Sequence, residues 1–204
     1  MGGTTDITRV WPIGTPTAAQ RRDFTLVLKG TMGLSRARFP QGTLSPMLDA
    51  LARAPLWAHG MDFGHGTGHG VGYFLNVHEG PQSISKAIPE PNMAMQPGMV
   101  TSIEPALYRP GQWGIRIENL VLNVPLPPAV ADAQPGSPEH GQYLAFETLT
   151  MCPIDTRCIE PSLMRSDELA WLNDYHATVR ERLAPRVSGD ALAWLMARTE
   201  PLQH

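Results

Sequence analysis

Between Asp62 and Gly72 the chain reads Asp-Phe-Gly-His-Gly-Thr-Gly-His-Gly-Val-Gly, with glycine at every second position from Gly64 to Gly72. Glycine this dense loses much chain entropy on folding and belongs in a glycine-rich strand and turn. The run is not a dinucleotide fingerprint, because the third glycine of G-x-G-x-x-G falls on His69 or Val71. It has no G-K-[ST] either, which leaves a phosphate loop unsupported. His65, His69 and His78 stand within fourteen residues, and no cysteine is near them. His78-Glu79 does not continue to H-E-x-x-H. The histidines are therefore either incidental to the turn or part of a site of carboxylates and one or two imidazoles. Such a donor set favours manganese, iron, cobalt or zinc.

Apolar periodicity sets the elements around this run. The sequence predicts a helix over about Ala18 to Phe39, through Phe24, Val27, Leu28, Thr31 and Leu34. A second runs from about Leu44 to Trp57, with Pro55 bending or fraying its last turn. Short apolar stretches at Met99–Ile103, Ile115–Val124 and Leu144–Met151, bounded by Gly or Pro, read as strands. Pro125 to Gly141 carries five prolines and reads as a surface loop. Ser166 caps a helix with Asp167 and Glu168 at its positive end, and Leu169, Leu172, His176, Val179 and Leu183 mark one face. A last short helix starts at Ser188. Residues 3–10 alternate like a strand, and an opening in mid-strand points to a missing N-terminal portion. Helices, then a mainly antiparallel sheet, then helices make the class α+β.

Composition removes several functions. The 204 residues carry 16 Lys and Arg against 19 Asp and Glu, a net charge of -3, which argues against a nucleic-acid binder. No run of about 18 apolar residues appears, and the N-terminus has no apolar signal core, so the expectation is a cytoplasmic globular protein. Cys152 and Cys158 make neither a disulfide framework nor a four-ligand zinc site. No G-x-S-x-G elbow supports a Ser-His-Asp arrangement.

The carboxylates carry more. Glu104 lies in Ser-Ile-Glu-Pro after a predicted strand, and Glu118 lies within the next one, flanked by Ile115, Ile117 and Leu120. A carboxylate inside an apolar strand is costly to bury unless it is paired or binds a cation. The alternative for Glu118 is an outward-facing residue or a salt bridge to Arg116. Asp6 alone reads as a turn or solvated edge residue.

Taken together these stretches resemble the C-terminal half of Xaa-Pro aminopeptidase (aminopeptidase P), a metallopeptidase family of the pita-bread fold. The resemblance runs through Gly3-Thr-Thr-Asp-Ile-Thr-Arg, His65-Gly-Thr-Gly-His-Gly-Val-Gly, Phe74-Leu-Asn-Val-His-Glu-Gly-Pro, Ser102-Ile-Glu-Pro and Gly114-Ile-Arg-Ile-Glu-Asn. Phe146 to Pro153 and Trp171-Leu-Asn-Asp-Tyr-His match the family's tail. The resemblance implies release of the first residue from peptides with proline second. It implies Asp6, His69, Glu104 and Glu118 as metal ligands, and His65 and His78 as histidines that contact substrate and stabilise the tetrahedral intermediate. The family holds two ions, usually manganese; one is expected here, with zinc, cobalt or iron as substitutes.

The family's first Asp ligand, about ten residues before the one matched by Asp6, has no counterpart after Met1. The reading is therefore residues 1–153 as the C-terminal portion of a pita-bread domain and 154–204 as a helical extension. The chain is expected to be truncated, with impaired activity, or a non-catalytic fragment or interaction module. The family's tail takes part in dimerisation, which implies a homodimer through the C-terminal helices.

Overall fold

The protein is described by a computed structural model covering residues 3–127 and 142–203. Helix α1, Ala18–Ser35, starts at a capping box: Gln20 N donates to Thr17 Oγ1 at 3.3 Å and Thr17 N to Gln20 Oε1 at 2.8 Å. The helix ends four residues before the expected Phe39. Residues Arg38–Pro40 form strand β1 instead, because Phe39 pairs with Leu144 across a sheet. Ser45–Leu48 is a 3₁₀ turn that leads into α2, Asp49–Trp57. Pro55 lies inside α2, two residues from its end.

The remaining elements are β2 (Gly68–His69), β3 (Ser83–Ile84), β4 (Val100–Ile103), β5 (Ala106–Arg109), β6 (Trp113–Arg116), β7 (Asn119–Pro125), β8 (Tyr143–Thr148), α3 (Ser166–Leu183) and α4 (Gly189–Arg198). One antiparallel sheet has the order β1-β8-β7-β4, and β2-β3 and β5-β6 form antiparallel pairs. A bridge between Gly70 and Thr101 lays the end of β2 beside β4. The class is α+β, as expected.

Three further local readings differ from the structure. The expected strand Ile115–Val124 is two strands, interrupted at Ile117 and Glu118, where Glu118 bridges to Thr8. Residues 3–10 alternate, yet only Thr8 is bridged, so no strand forms there among the described residues. Ser166 is the first residue of α3, and the box closes one residue earlier, with Arg165 N on Glu168 Oε2 at 2.9 Å. From residue 128 to 141 the proline-rich segment lies outside the described residues; Pro125 itself closes β7.

Helix α1 is wrapped on most sides. Phe24, Val27, Leu28 and Met32 pack in one cluster with Ile117, Leu172 and Leu195, which ties α3 and α4 to the sheet. Leu34 joins a second cluster with Phe39, Ala52, Ile103, Val121 and Leu144. Burial of such side chains contributes roughly 1.5–3 kcal/mol each. Among the described residues no helix is long and apolar enough to cross a membrane.

Candidate metal centre

Sheet register brings the acidic residues to one end. Ile103 pairs with Asn119, so β4 leaves the ladder at Glu104 on the side where β7 enters from Glu118. On the same side, Glu118 N donates to Thr8 O at 3.1 Å, which brings in the segment carrying Asp6. The bridge from Gly70 to Thr101 sets His69 beside Ser102, and Ser102 Oγ accepts from His69 N at 2.9 Å. Single ligand atoms of Asp6, His69 and Glu118 all lie within 4.8 Å of one another. Glu104 stands beside them, with Oε1 3.2 Å from His69 Nε2 and Oε2 3.1 Å from Arg116.

The glycines explain the approach. A Cβ on Gly68 would lie 1.9 Å from Ser102 O, and one on Gly70 would lie 1.9 Å from Glu79 O. A side chain at Gly68 would push β2 off β4 and carry His69 away from Glu104, and one at Gly70 would displace the Glu79–Gln82 segment packed over it.

The electrostatics are those of crowded carboxylates. Glu118 is 3% exposed, so it is neither an outward strand residue nor the partner of Arg116, which hydrogen-bonds Glu104 instead. Burial, together with the like charges of Glu104 and Asp6, pushes its carboxyl up to about 7 against the Thr8 hydroxyl that donates to it. Burial by itself would raise Glu104, but His69 and Arg116 hold it below its ordinary value. His69 is raised, burial notwithstanding, by Glu104, the Gly70 carbonyl and Asp6. Asp6 Oδ2 is buried with no hydrogen-bond partner among the described residues.

These observations fit a divalent cation. The upward displacement of Glu118 and His69 marks a surplus of negative charge that a cation would neutralise, and the Asp6 oxygen that accepts no hydrogen bond points to the same need. The donors, carboxylate oxygens with one imidazole, suit manganese, zinc, iron or cobalt. His69 Nδ1 contacts Gly70 O at 3.0 Å, which holds the proton on Nδ1 in the neutral ring and turns Nε2 toward Asp6 and Glu104.

His78 lies edge-on against His69, with ring centroids 4.3 Å apart. His65 is placed apart from the three converging side chains, with Nε2 2.9 Å from Tyr108 Oη. Sequence reasoning missed Tyr108, whose hydroxyl also accepts from Arg116 Nη2 at 2.7 Å, so that His65 connects through Tyr108 and Arg116 to Glu104. It also missed Arg9. That guanidinium donates to Glu118 O at 2.7 Å, Asn119 Oδ1 at 2.6 Å and Tyr175 Oη at 2.8 Å, and so joins the Asp6 segment to β7 and α3. Cys158 is buried and its thiol pushed up to about 11, which leaves it a packing residue.

Comparison with known proteins adds the lineage of this arrangement. The model of metallopeptidase family M24 matches residues 1–124, and that of the C-terminal region of the same family matches residues 142–202. A probable Xaa-Pro aminopeptidase P of Coprinopsis cinerea is 47% identical over 98% of this chain and 32% of its own length. Its counterpart in Laccaria bicolor is 45% identical over 99% of this chain and 31% of its own. The structure of an X-prolyl aminopeptidase from Caenorhabditis elegans, described as a cytosolic enzyme with a di-nuclear active site, superposes with a TM-score of 0.85. It is 40% identical, and the match covers 98% of this chain and 31% of that one. The chain thus spans about a third of the length of the relatives it matches.

Proposed function

The chain belongs to metallopeptidase family M24, and from that membership we propose that it serves metal-dependent hydrolysis of the N-terminal Xaa-Pro peptide bond. The observation that carries the reading is the convergence of Asp6, His69 and Glu118, ligand atoms within 4.8 Å, at the end of β4 and β7. Asp6, His69, Glu104 and Glu118 are the residues that hold the ion, with manganese as the resident metal and zinc, cobalt or iron suited to the same donors. When bound, such an ion supplies Lewis-acid polarisation and an acidified water.

The chain's own residues do the rest. Thr8 orients Glu118 through its hydroxyl, and Arg116 orients Glu104. His78, against His69, and His65, at Tyr108, flank the peptide and stabilise charge developing on its carbonyl oxygen. Hydrolysis adds water across the bond between the first residue and proline: oxygen joins the carbonyl carbon, the C–N bond breaks and a proton goes to the proline nitrogen. The cytosolic description of the Caenorhabditis elegans enzyme supports a cytoplasmic location. Trp194, 47% exposed on α4, supports a homodimer through the C-terminal helices. The division into residues 1–153 and 154–204 belongs to the same reading.

A second reading, a non-catalytic fragment or interaction module, is favoured by one observation: the group converging within 4.8 Å among the described residues supplies three ligand atoms, fewer than a hard divalent ion prefers. Hydrolysis of an Xaa-Pro tripeptide with added manganese separates the two. Turnover that disappears in Glu118→Gln supports the peptidase. A folded chain without turnover supports the second reading.

A further inference from the structure

Arg53 is 1% exposed, and all three of its side-chain nitrogens are engaged. Nε donates to Asp49 at 2.6 Å, and Nη1 to Asp62 at 2.7 Å and to the Phe63 carbonyl at 2.8 Å. Nη2 donates to the His65 carbonyl at 2.7 Å. The guanidinium lies over the Phe63 ring, 3.9 Å from its centroid. The second oxygen of Asp49 accepts the Thr67 hydroxyl at 2.6 Å, and the Thr67 carbonyl accepts Glu104 N at 2.7 Å. One buried cation on α2 thereby grips Phe63 and His65 directly and Thr67 through Asp49. Gly64 and Gly66, the residues between these points, place no side chain that could do so.

What this grip controls is the His65 ring. Nδ1 is 2.7 Å from the Gly66 carbonyl, which can only accept, so Nδ1 carries the proton. Nε2 faces the Tyr108 hydroxyl, into which Arg116, a donor only, points from Nε and Nη2. The tyrosine proton is therefore directed at Nε2. The register holds only while the His65 backbone stays where Arg53 fixes it.

We infer that Arg53 is a positioning residue that locks His65 into a single Nδ1-protonated tautomer, with Nε2 reserved for the Tyr108 hydroxyl. The geometry stands on its own; its bearing on catalysis rests on the reading of His65 as a substrate-contacting residue. Arg53 touches neither substrate nor ion and acts only through the glycine run.

The test is nitrogen NMR of the histidine side chains in the ¹⁵N-labelled, metal-free full chain, with His65 assigned by its loss in His65→Gln. Wild type is expected to show well-separated nitrogen shifts for His65, protonated at Nδ1 and bare at Nε2. Arg53→Lys keeps a cation between Asp49 and Asp62 but lacks the planar fork that reaches two carbonyls. In it the two His65 shifts should converge toward the tautomer average, while those of His176 stay put. Unchanged His65 shifts in a folded Arg53→Lys protein, or averaged shifts already in wild type, would overturn the inference. Should Arg53→Lys fail to fold, Asp62→Ala decides. It removes one acceptor of Nη1 at an exposed position, and the inference requires a smaller convergence in the same direction. Because no turnover is read, failure of the peptidase reading would leave this result intact.

Discussion

His176 predicts a pH dependence whose sign is set by its surroundings. It is fully buried on α3, and Nε2 accepts the Ile154 amide at 3.0 Å. Burial pushes the imidazole down to about 4, and the Arg9 and Arg180 cations push the same way, against Asp155. An unfolded chain takes up this proton near 6.5 while the folded one refuses it down to about 4. Stability from His176 is thus fully present above about pH 6.5 and is lost as pH falls through 4. The window of roughly 2.5 units amounts to about 3 kcal/mol. Glu118 runs the other way: its folded carboxyl, pushed up to about 7, contributes stability below its unfolded value that is lost as pH rises through 7. The wild-type profile therefore mixes the two. The difference between wild type and His176→Gln, whose amide oxygen can still accept from Ile154, isolates the histidine. Urea unfolding at stepped pH in metal-free buffer should show the gap between them shifting against wild type by about 3 kcal/mol between about pH 7 and pH 4. Parallel profiles would refute the argument.

Gly68→Ala should destabilise by about 1–3 kcal/mol in urea unfolding, since its Cβ would meet Ser102 O at 1.9 Å. Leu172→Ala, at a fully buried position shared by α1, the sheet and α3, should cost about 2–5 kcal/mol by the same measure. A thiol reagent near neutral pH should label Cys152 and spare Cys158, held up at about 11 and buried, until denaturant is added; two thiols reacting natively would contradict that placement.

The parts legible in the sequence are those with a local signature. The apolar rhythm of Phe24, Val27, Leu28 and Leu34 marks α1, and that of Leu169, Leu172 and Val179 marks α3, because both helices bury a continuous face. The hairpin β5-β6 escaped notice because its strands are four residues each and Pro105 and Pro110 flank the first. Phe39 fits the α1 rhythm, yet pairing with Leu144, a contact more than a hundred residues away, takes it into β1. At the site, Asp6, His69, Glu104 and Glu118 stand in recognisable stretches. Thr8 and Arg9 share the stretch of Asp6 while Arg53 and Tyr108 stand in none, and the roles of all four come from tertiary approach rather than spacing. Arg53 in particular reads as an ordinary helix residue until Asp49, Asp62 and the His65 carbonyl close around it.

Titration of the metal-free chain with manganese, followed by loss of the free-ion electron paramagnetic resonance signal, tests the centre itself. Saturable binding to wild type, weakened roughly tenfold or more in Glu118→Gln and in Asp6→Asn, is the predicted result. A rise in melting temperature with added ion should accompany it in wild type alone. No saturable binding, or equal binding by wild type and Glu118→Gln, would contradict the assignment of Asp6, His69 and Glu118 to one metal site.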